Sequence, residues 1–171
     1  MADSDANAIH AARKDWTRTH RATYLASGGA DGHVMDLRDV GGPRFGTHCL
    51  IRYRGRKSGR MLITPLCYVA VGGEVVICAS RGGADHHPAW YLNLTAAETV
   101  DVQIATQAWR ATWREPEGAE REKVWGLLVD AFPFYADYEA STDRVIPLVM
   151  LSAGDDIPVF RAEDADATRP T

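Results

Sequence analysis

Arg52-Tyr53-Arg54-Gly55-Arg56-Lys57-Ser58-Gly59-Arg60 places five basic residues in nine positions, punctuated by two glycines. The flanking segments, 47–53 and 61–71, both read as strands, so the stretch is a charged turn and not a charged helix. Gly55 and Gly59 permit positive backbone angles and close approach of main-chain N–H groups to an anion, while Arg56, Lys57 and Ser58 add donors. Two readings stand side by side. One is a solvated hairpin tip whose charges keep a sheet edge soluble. The other is a phosphate-holding loop, which the charge density favours, because like charges repel unless an anion or water lies among them.

Downstream, Pro65 interrupts the second strand and removes a ladder donor. The strand should bulge or lie at an edge there, opening backbone groups of Thr64 and Leu66 to a ligand; a simple edge marker would look the same. Gly72-Gly73 turns the chain into a third strand, 74–80. Ala79 to Ala84 then leaves it as a glycine loop, and Pro88 opens a helix to about Ala97. Strand end, glycine loop and helix start form a second anion-friendly arrangement, or an ordinary connection. His86 and His87 are adjacent and cannot share a helix face, which argues against a metal site. Strand 99–105 turns Val100, Val102 and Ile104 inward and pairs with 108–114. Pro116 opens a helix to about Phe132 with Val124, Leu127, Leu128 and Ala131 on one face, followed by an aromatic loop over 132–138 and a last strand, 146–152.

Upstream, Ile9, Ala12, Trp16, His20 and Tyr24 recur at helical spacing over 5–26, with Arg13, Lys14, Arg18 and Arg21 around them. Such a basic amphipathic helix can lie on an anionic membrane surface or pack on its own protein. Val34 to Val40 reads as a short strand or an irregular loop. The chain divides into an N-terminal helical segment, 1–30, a central domain, 31–153, and a flexible acidic tail, 154–171. At 171 residues, 46% hydrophobic and 25% charged, it is long enough for one self-sufficient core, and no apolar run reaches the ~20 residues that span a bilayer. A net charge of -4 argues against long nucleic acid as a partner, and the N-terminus without a secretory pattern argues for the cytoplasm. Cys49, Cys67 and Cys78 lie inside strands and read as small buried hydrophobes. Closely spaced antiparallel strands with inserted helices make an α+β domain on a rolled sheet or small barrel.

RGRKSGR at 54–60, TPLCYV at 64–69, ASRGGADHHPAWYLNL at 79–94 and FPFYADYEASTDRVIP at 132–147 together resemble the deazaflavin-dependent nitroreductase family, reductases that use coenzyme F420 and are prominent in mycobacteria and related actinobacteria. The resemblance covers about Leu50 to Leu151. It implies a split β-barrel of about six antiparallel strands with flanking helices, and hydride transfer from reduced F420 to a planar electrophile such as a quinone, enone or nitro compound. It implies that Arg56, Lys57 and Ser58, with Arg60 beside them, meet the coenzyme's phosphate and glutamate tail. Thr64, Pro65 and Leu66 would contact the ring system through the main chain, Ala79, Ser80 and Arg81 would line it, and Ala89, Trp90 and Tyr91 would close the opposite side. Ser80, Tyr135 and Tyr138 are the implied catalytic residues, near the reactive ring edge and around the substrate cavity. Members that activate nitroimidazoles carry tyrosine and serine where this chain has Phe132 and Phe134, so quinones and enones suit the more apolar mouth. Arg81 stands where some relatives carry lysine. Related split barrels often dimerise, which makes a homodimer an expectation. The competing readings are a flavin mononucleotide enzyme of the same fold and a protein that binds the coenzyme without turnover.

Overall fold

The structure, a computed structural model, describes residues 15–164. Nine strands are described: β1 (Val34–Met35), β2 (Gly46–Arg54), β3 (Met61–Cys67), β4 (Val69–Val71), β5 (Glu74–Cys78), β6 (Thr99–Ile104), β7 (Gln107–Arg114), β8 (Leu148–Leu151) and β9 (Asp156–Ile157). The helices are α1 (15–26), α2 (Ala89–Leu94), α3 (Gly118–Ala131) and α4 (Phe134–Ala140). Every pairing is antiparallel, in the order β1-β2-β6-β7-β8-β5-β4, with β3 also on β2 and β9 on β7.

This order closes on itself. β3 and β4 are halves of one strand, divided at Tyr68; β3 pairs with β2 and β4 with β5. At the division Tyr68 N–H donates to Thr47 O at 3.2 Å and Thr47 Oγ1 donates to Tyr68 O at 2.8 Å, fixing the corner. β7 makes the matching transfer opposite, with 107–112 on β6 and Trp113–Arg114 on β8. The six expected strands thus form the barrel, and the two-residue β1 and β9 add to its margins.

Strand alternation sorts the side chains into three apolar layers. Cys49, Ile51, Tyr53, Val75, Ile77, Val100, Val102, Val149 and Leu151 fill the barrel. Val76, Cys78, Leu148 and Met150 point outward beneath α3 and α4, which contribute Val124, Leu128 and Tyr135, with Phe132 from the turn between them. Leu50, Ile63 and Ala108 point outward elsewhere, beneath Tyr24 and Leu25 of α1 and Phe160.

Several expectations need correction. Leu127 is not on the buried face of α3; one position off the Val124–Leu128 stripe, it is 41% exposed. Residues 134–140 are a helix and not a loop, because Phe134, Tyr135 and Tyr138 pack on one another at helical spacing. Phe132, expected at the mouth of a site, is buried with α3. Residues 154–164 are not a loose tail: β9 pairs with β7, Phe160 is fully buried, and its N–H donates to Gln103 Oε1 at 2.7 Å. Nor does α1 stand apart. Tyr24 Oη donates to His48 O and accepts from Ala105 N–H, at 3.0 and 2.8 Å, tying the helix to the barrel. Residues 5–14 of the expected helix and 165–171 of the expected tail lie outside the described residues. Val34–Val40, expected as a short strand or an irregular loop, is a strand only at Val34–Met35 and ends in a 3-10 turn at Arg38–Val40.

Candidate functional site

The basic hairpin tip is first closed by its own hydrogen bonds. Gly55 N–H donates to Arg60 O at 2.8 Å and Gly59 N–H to Gly55 O at 2.7 Å, with Gly59 at φ 68°. Ser58 Oγ accepts from Arg60 N–H at 3.2 Å, and Arg54 Nη1 donates to Gly59 O at 2.8 Å. A β-carbon at Gly55 would stand 2.5 Å from Ser58 Oγ, so glycine is what lets the serine fold inward. The tip is then fastened sideways. Buried Asn93 Oδ1 of α2 accepts from both the N–H and Nη1 of Arg56, each at 3.1 Å. Arg56, Lys57, Ser58 and Arg60 stay exposed. Arg52 has another use. Alternation along β2 turns it to the outer face, where Asp101 lies 2.8 Å and Asp164 3.3 Å away and the guanidinium sits 4.6 Å from the Phe160 ring centroid.

α2 also supplies the apolar wall. Trp90, Asn93 and Leu94 share its buried face, and Trp90 and Leu94 pack with Ala79, while Leu66 and Tyr91 rest against the same cluster. Ala89 begins the helix and is exposed. Tyr91 Oη donates to Glu115 Oε1 at 2.5 Å, and partial burial, with Glu115 beside it, pushes the phenol up to about 12.

The glycine loop after β5 is strained and firmly held. Arg81, Gly82 and Gly83 have φ of 47°, 65° and 81°; the left-handed value at Arg81 is costly for a residue with a β-carbon. Beneath it Arg144 Nη2 donates to Ser80 O at 2.7 Å and Ala79 O at 3.2 Å, and its Nε to Ala84 O at 2.7 Å. α4 closes over the loop, since a β-carbon at Gly83 would stand 2.7 Å from Tyr138 O. Ser80 and Tyr138 therefore border one loop. Tyr135, expected beside them in the substrate cavity, is instead a core residue, 5% exposed, with its hydroxyl pushed well above the ordinary phenol range, first by burial.

Thr64 and Pro65 line a different wall. With Ile63 and with Thr17, Arg18 and Arg21 of α1 they bound a cleft of about 340 Å³. β3 pairs only with β2 among the described residues, so Pro65 lies on an edge strand as its missing N–H requires. Arg21 Nη1 donates to Ile63 O at 3.2 Å, and Thr64 Oγ1 lies 2.8 Å from Tyr53 Oη.

An exposed cationic tip, an adjoining apolar wall and a loop of fixed carbonyls and hydroxyls suit a flat ligand with an anionic tail. Residues 16–153 match the F420H(2)-dependent quinone reductase family. The chain belongs to that family. The F420H(2)-dependent quinone reductase Rv1261c of Mycobacterium tuberculosis is 29% identical over 138 residues, 79% of this chain and 88% of that one. A putative F420H(2)-dependent quinone reductase of the same organism, Rv3178, is 30% identical over 102 residues, 60% and 86% of the two chains. Among solved structures, an F420-H2 dependent reductase, FDR-A, has a TM-score of 0.57 at 42% identity, covering 61% of this chain and 93% of its own. A domain-swapped dimer has a TM-score of 0.60 at 38% identity, covering 82% and 99%. Membership in the quinone reductase family makes this chain an oxidoreductase of split-barrel fold with coenzyme F420 as its cofactor and quinones as its acceptors, and it does not favour the flavin mononucleotide or non-catalytic alternatives. Two residues that organise the site, Asn93 and Arg144, were not among those expected. Asn93 carried a signal, a polar residue on the apolar face of a short helix; Arg144 carried none, because its partners lie some sixty residues upstream.

Proposed function

We propose that the F420 site of this quinone reductase runs from the basic tip across α2 to the glycine loop. The observation that carries this reading is the double hydrogen bond from Arg56 to Asn93, which fastens the cationic tip to the helix bearing the apolar wall. The residues present fit the coenzyme. Arg56, Lys57, Ser58 and Arg60 hold its phosphate and carboxylates, Leu66 and Tyr91 face its flat ring with Ala79 and Trp90 packed behind them, Thr64 and Pro65 offer an edge without a competing strand, and Arg81 and Ala89 flank the entrance. When bound, the reduced deazaflavin supplies a hydride. Converting a quinone to its hydroquinone with that hydride takes one further proton and builds negative charge on a quinone oxygen. Ser80 and Tyr138 donate hydrogen bonds to that oxygen, and Tyr135 supports them from the core. Burial of the ring matters as much as the charges. Micromolar affinity takes about 8 kcal/mol, whereas an exposed charge-assisted hydrogen bond yields only about 1 kcal/mol after solvent screening.

Titration of the purified protein with F420 and, in parallel, with flavin mononucleotide tests the reading. Saturable quenching by the deazaflavin alone is expected; saturation by the flavin alone would sink it. A homodimer is part of the proposal, supported by the domain-swapped neighbour and tested by light scattering of the purified chain. Peripheral membrane contact through α1 draws less support. Its residues His20, Tyr24 and Leu25 are buried against the barrel, and among its described residues Trp16 is the large apolar side chain it exposes, so vesicle sedimentation should leave the protein in the supernatant. Among the described residues no helix is long and apolar enough to cross a membrane.

A further inference from the structure

Arg144 stands at the start of the approach to β8, beyond α4, and every contact it makes in the glycine loop is with a fixed acceptor. Its Nη2 donates to Ala79 O and Ser80 O, its Nε to Ala84 O, and its Nη1 lies 3.0 Å from His87 Nδ1. The last contact has only one chemical meaning. A guanidinium has donors and no acceptor, so His87 Nδ1 must present its lone pair. The neutral imidazole then carries its proton on Nε2. The ring lies tilted by 55° against Tyr91, one residue past Trp90 in the apolar wall, with centroids 4.9 Å apart.

We propose that Arg144 is a positioning residue for the coenzyme site, holding the strained loop 79–87 in register and fixing His87 as a neutral Nε2–H hydrogen-bond donor. The inference rests on the site proposed above. A single side chain thereby sets three things that would otherwise vary independently: the orientation of the Ser80 peptide, the left-handed turn at Arg81, and which imidazole nitrogen can donate. Lysine cannot substitute, because one ammonium cannot span four acceptors spread from Ala79 to His87 as the forked guanidinium does. The charges around His87 agree with a neutral ring. Burial and then the Arg144 charge depress its basicity, and Glu115, reached through Tyr91, opposes them more weakly.

The test reads the tautomer directly. Long-range proton–nitrogen spectra of histidine-labelled, coenzyme-free wild-type protein at pH 7.5 should show His87 as a single Nε2–H form. An Nδ1–H or doubly protonated ring would overturn the proposal without any variant being made. In Arg144→Lys the same spectrum should show mixed tautomers, and quinone turnover should drop about tenfold while KM for the quinone changes less than about threefold. A folded Arg144→Lys protein that keeps either the single tautomer or wild-type turnover overturns the assignment. If that variant does not fold, His87→Gln, at a surface-facing ring, carries the activity arm: a loss of about tenfold is expected, and unchanged turnover counts against the proposal. Failure of the wild-type protein to bind F420 would overturn the coenzyme role together with the functional reading, and is told apart by the titration, since the tautomer is measured without coenzyme.

Discussion

At the scale of single residues the site divides into side chains that meet solvent and side chains that hold those in place. Arg56 belongs to both groups, and Asn93 is the hinge between them. Asn93→Ala leaves the charge of the tip intact but frees it from α2, so F420 affinity should fall about five- to tenfold, on the order of 1 kcal/mol, in a fluorescence titration. Arg56→Ala with Lys57→Ala should cost more, and its loss should shrink at high salt whereas that of Asn93→Ala should not. The two tyrosines make a second contrast. Tyr135→Phe removes a polar hydroxyl from the buried core and should change stability by no more than about 1 kcal/mol in urea unfolding. Tyr138→Phe should lower turnover more than Tyr135→Phe does; the opposite order in steady-state assays would reassign the pair. The basic tip was legible from residue types alone. The separation of Tyr135 from Tyr138 was not, because three residues in an aromatic run reveal which side faces the core only once the run is known to be a helix.

Among the elements, α1 is the one whose packing depends on ionisation. His20 and His48 meet edge to face at 4.7 Å, with Trp16 at 4.9 Å from His20. His20 Nε2–H donates to Gly32 O at 2.7 Å and its Nδ1 is buried without a partner. His48 Nδ1–H donates to Gly46 O at 3.0 Å, and Cys67 Sγ lies 3.3 Å from its Nε2. Burial, and then His20, depress His48 to about 4. The folded pKa lies below the unfolded value of about 6.5, so the unfolded chain binds the extra proton first. Stability is complete above pH 6.5, declines as the pH falls toward 4, and by then has lost up to about 3 kcal/mol from this residue. The urea midpoint of the wild type should therefore drop between pH 7 and 4.5 by clearly more than that of His48→Gln; equal drops would remove the pair from the account. Helical spacing made α1 readable, since Trp16, His20 and Tyr24 recur every fourth residue. Nothing local marked the histidines as buried, because their cover comes from a strand twenty-eight positions beyond His20.

For the whole molecule the decisive property is that much of the barrel's outer face is covered as well as its interior, by α3 and α4 on one side and by α1 and the Phe160 segment on another. Asp101 and Gln103 show it best. They alternate with Val100 and Val102 and should by pattern face water, yet both are buried. Burial would raise the Asp101 carboxyl, and Arg110 and Arg52 more than offset this, holding it below the usual carboxylate range. The cover is the segment through Phe160, so Phe160→Ala should cost about 3–5 kcal/mol by leaving a cavity between α1 and the barrel, with F420 affinity nearly unchanged. Differential scanning calorimetry against coenzyme titration would separate the two effects. The strands and their order of appearance could be read from alternation and glycine turns. The closure of the barrel could not, because it depends on Tyr68 handing one strand from β2 to β5, and residues 154–164 looked like a tail because their partner residues are distant in the chain. The grip of Arg144 on the Ala79 carbonyl spans 65 positions, and it carries a consequence for synthesis. A nascent chain that has already made β2, β3, β5 and α2 keeps a glycine loop without this clamp until Arg144 clears the ribosome exit, so a chain terminated upstream of it also lacks β8 and carries the basic tip and an unheld loop in an unclosed barrel.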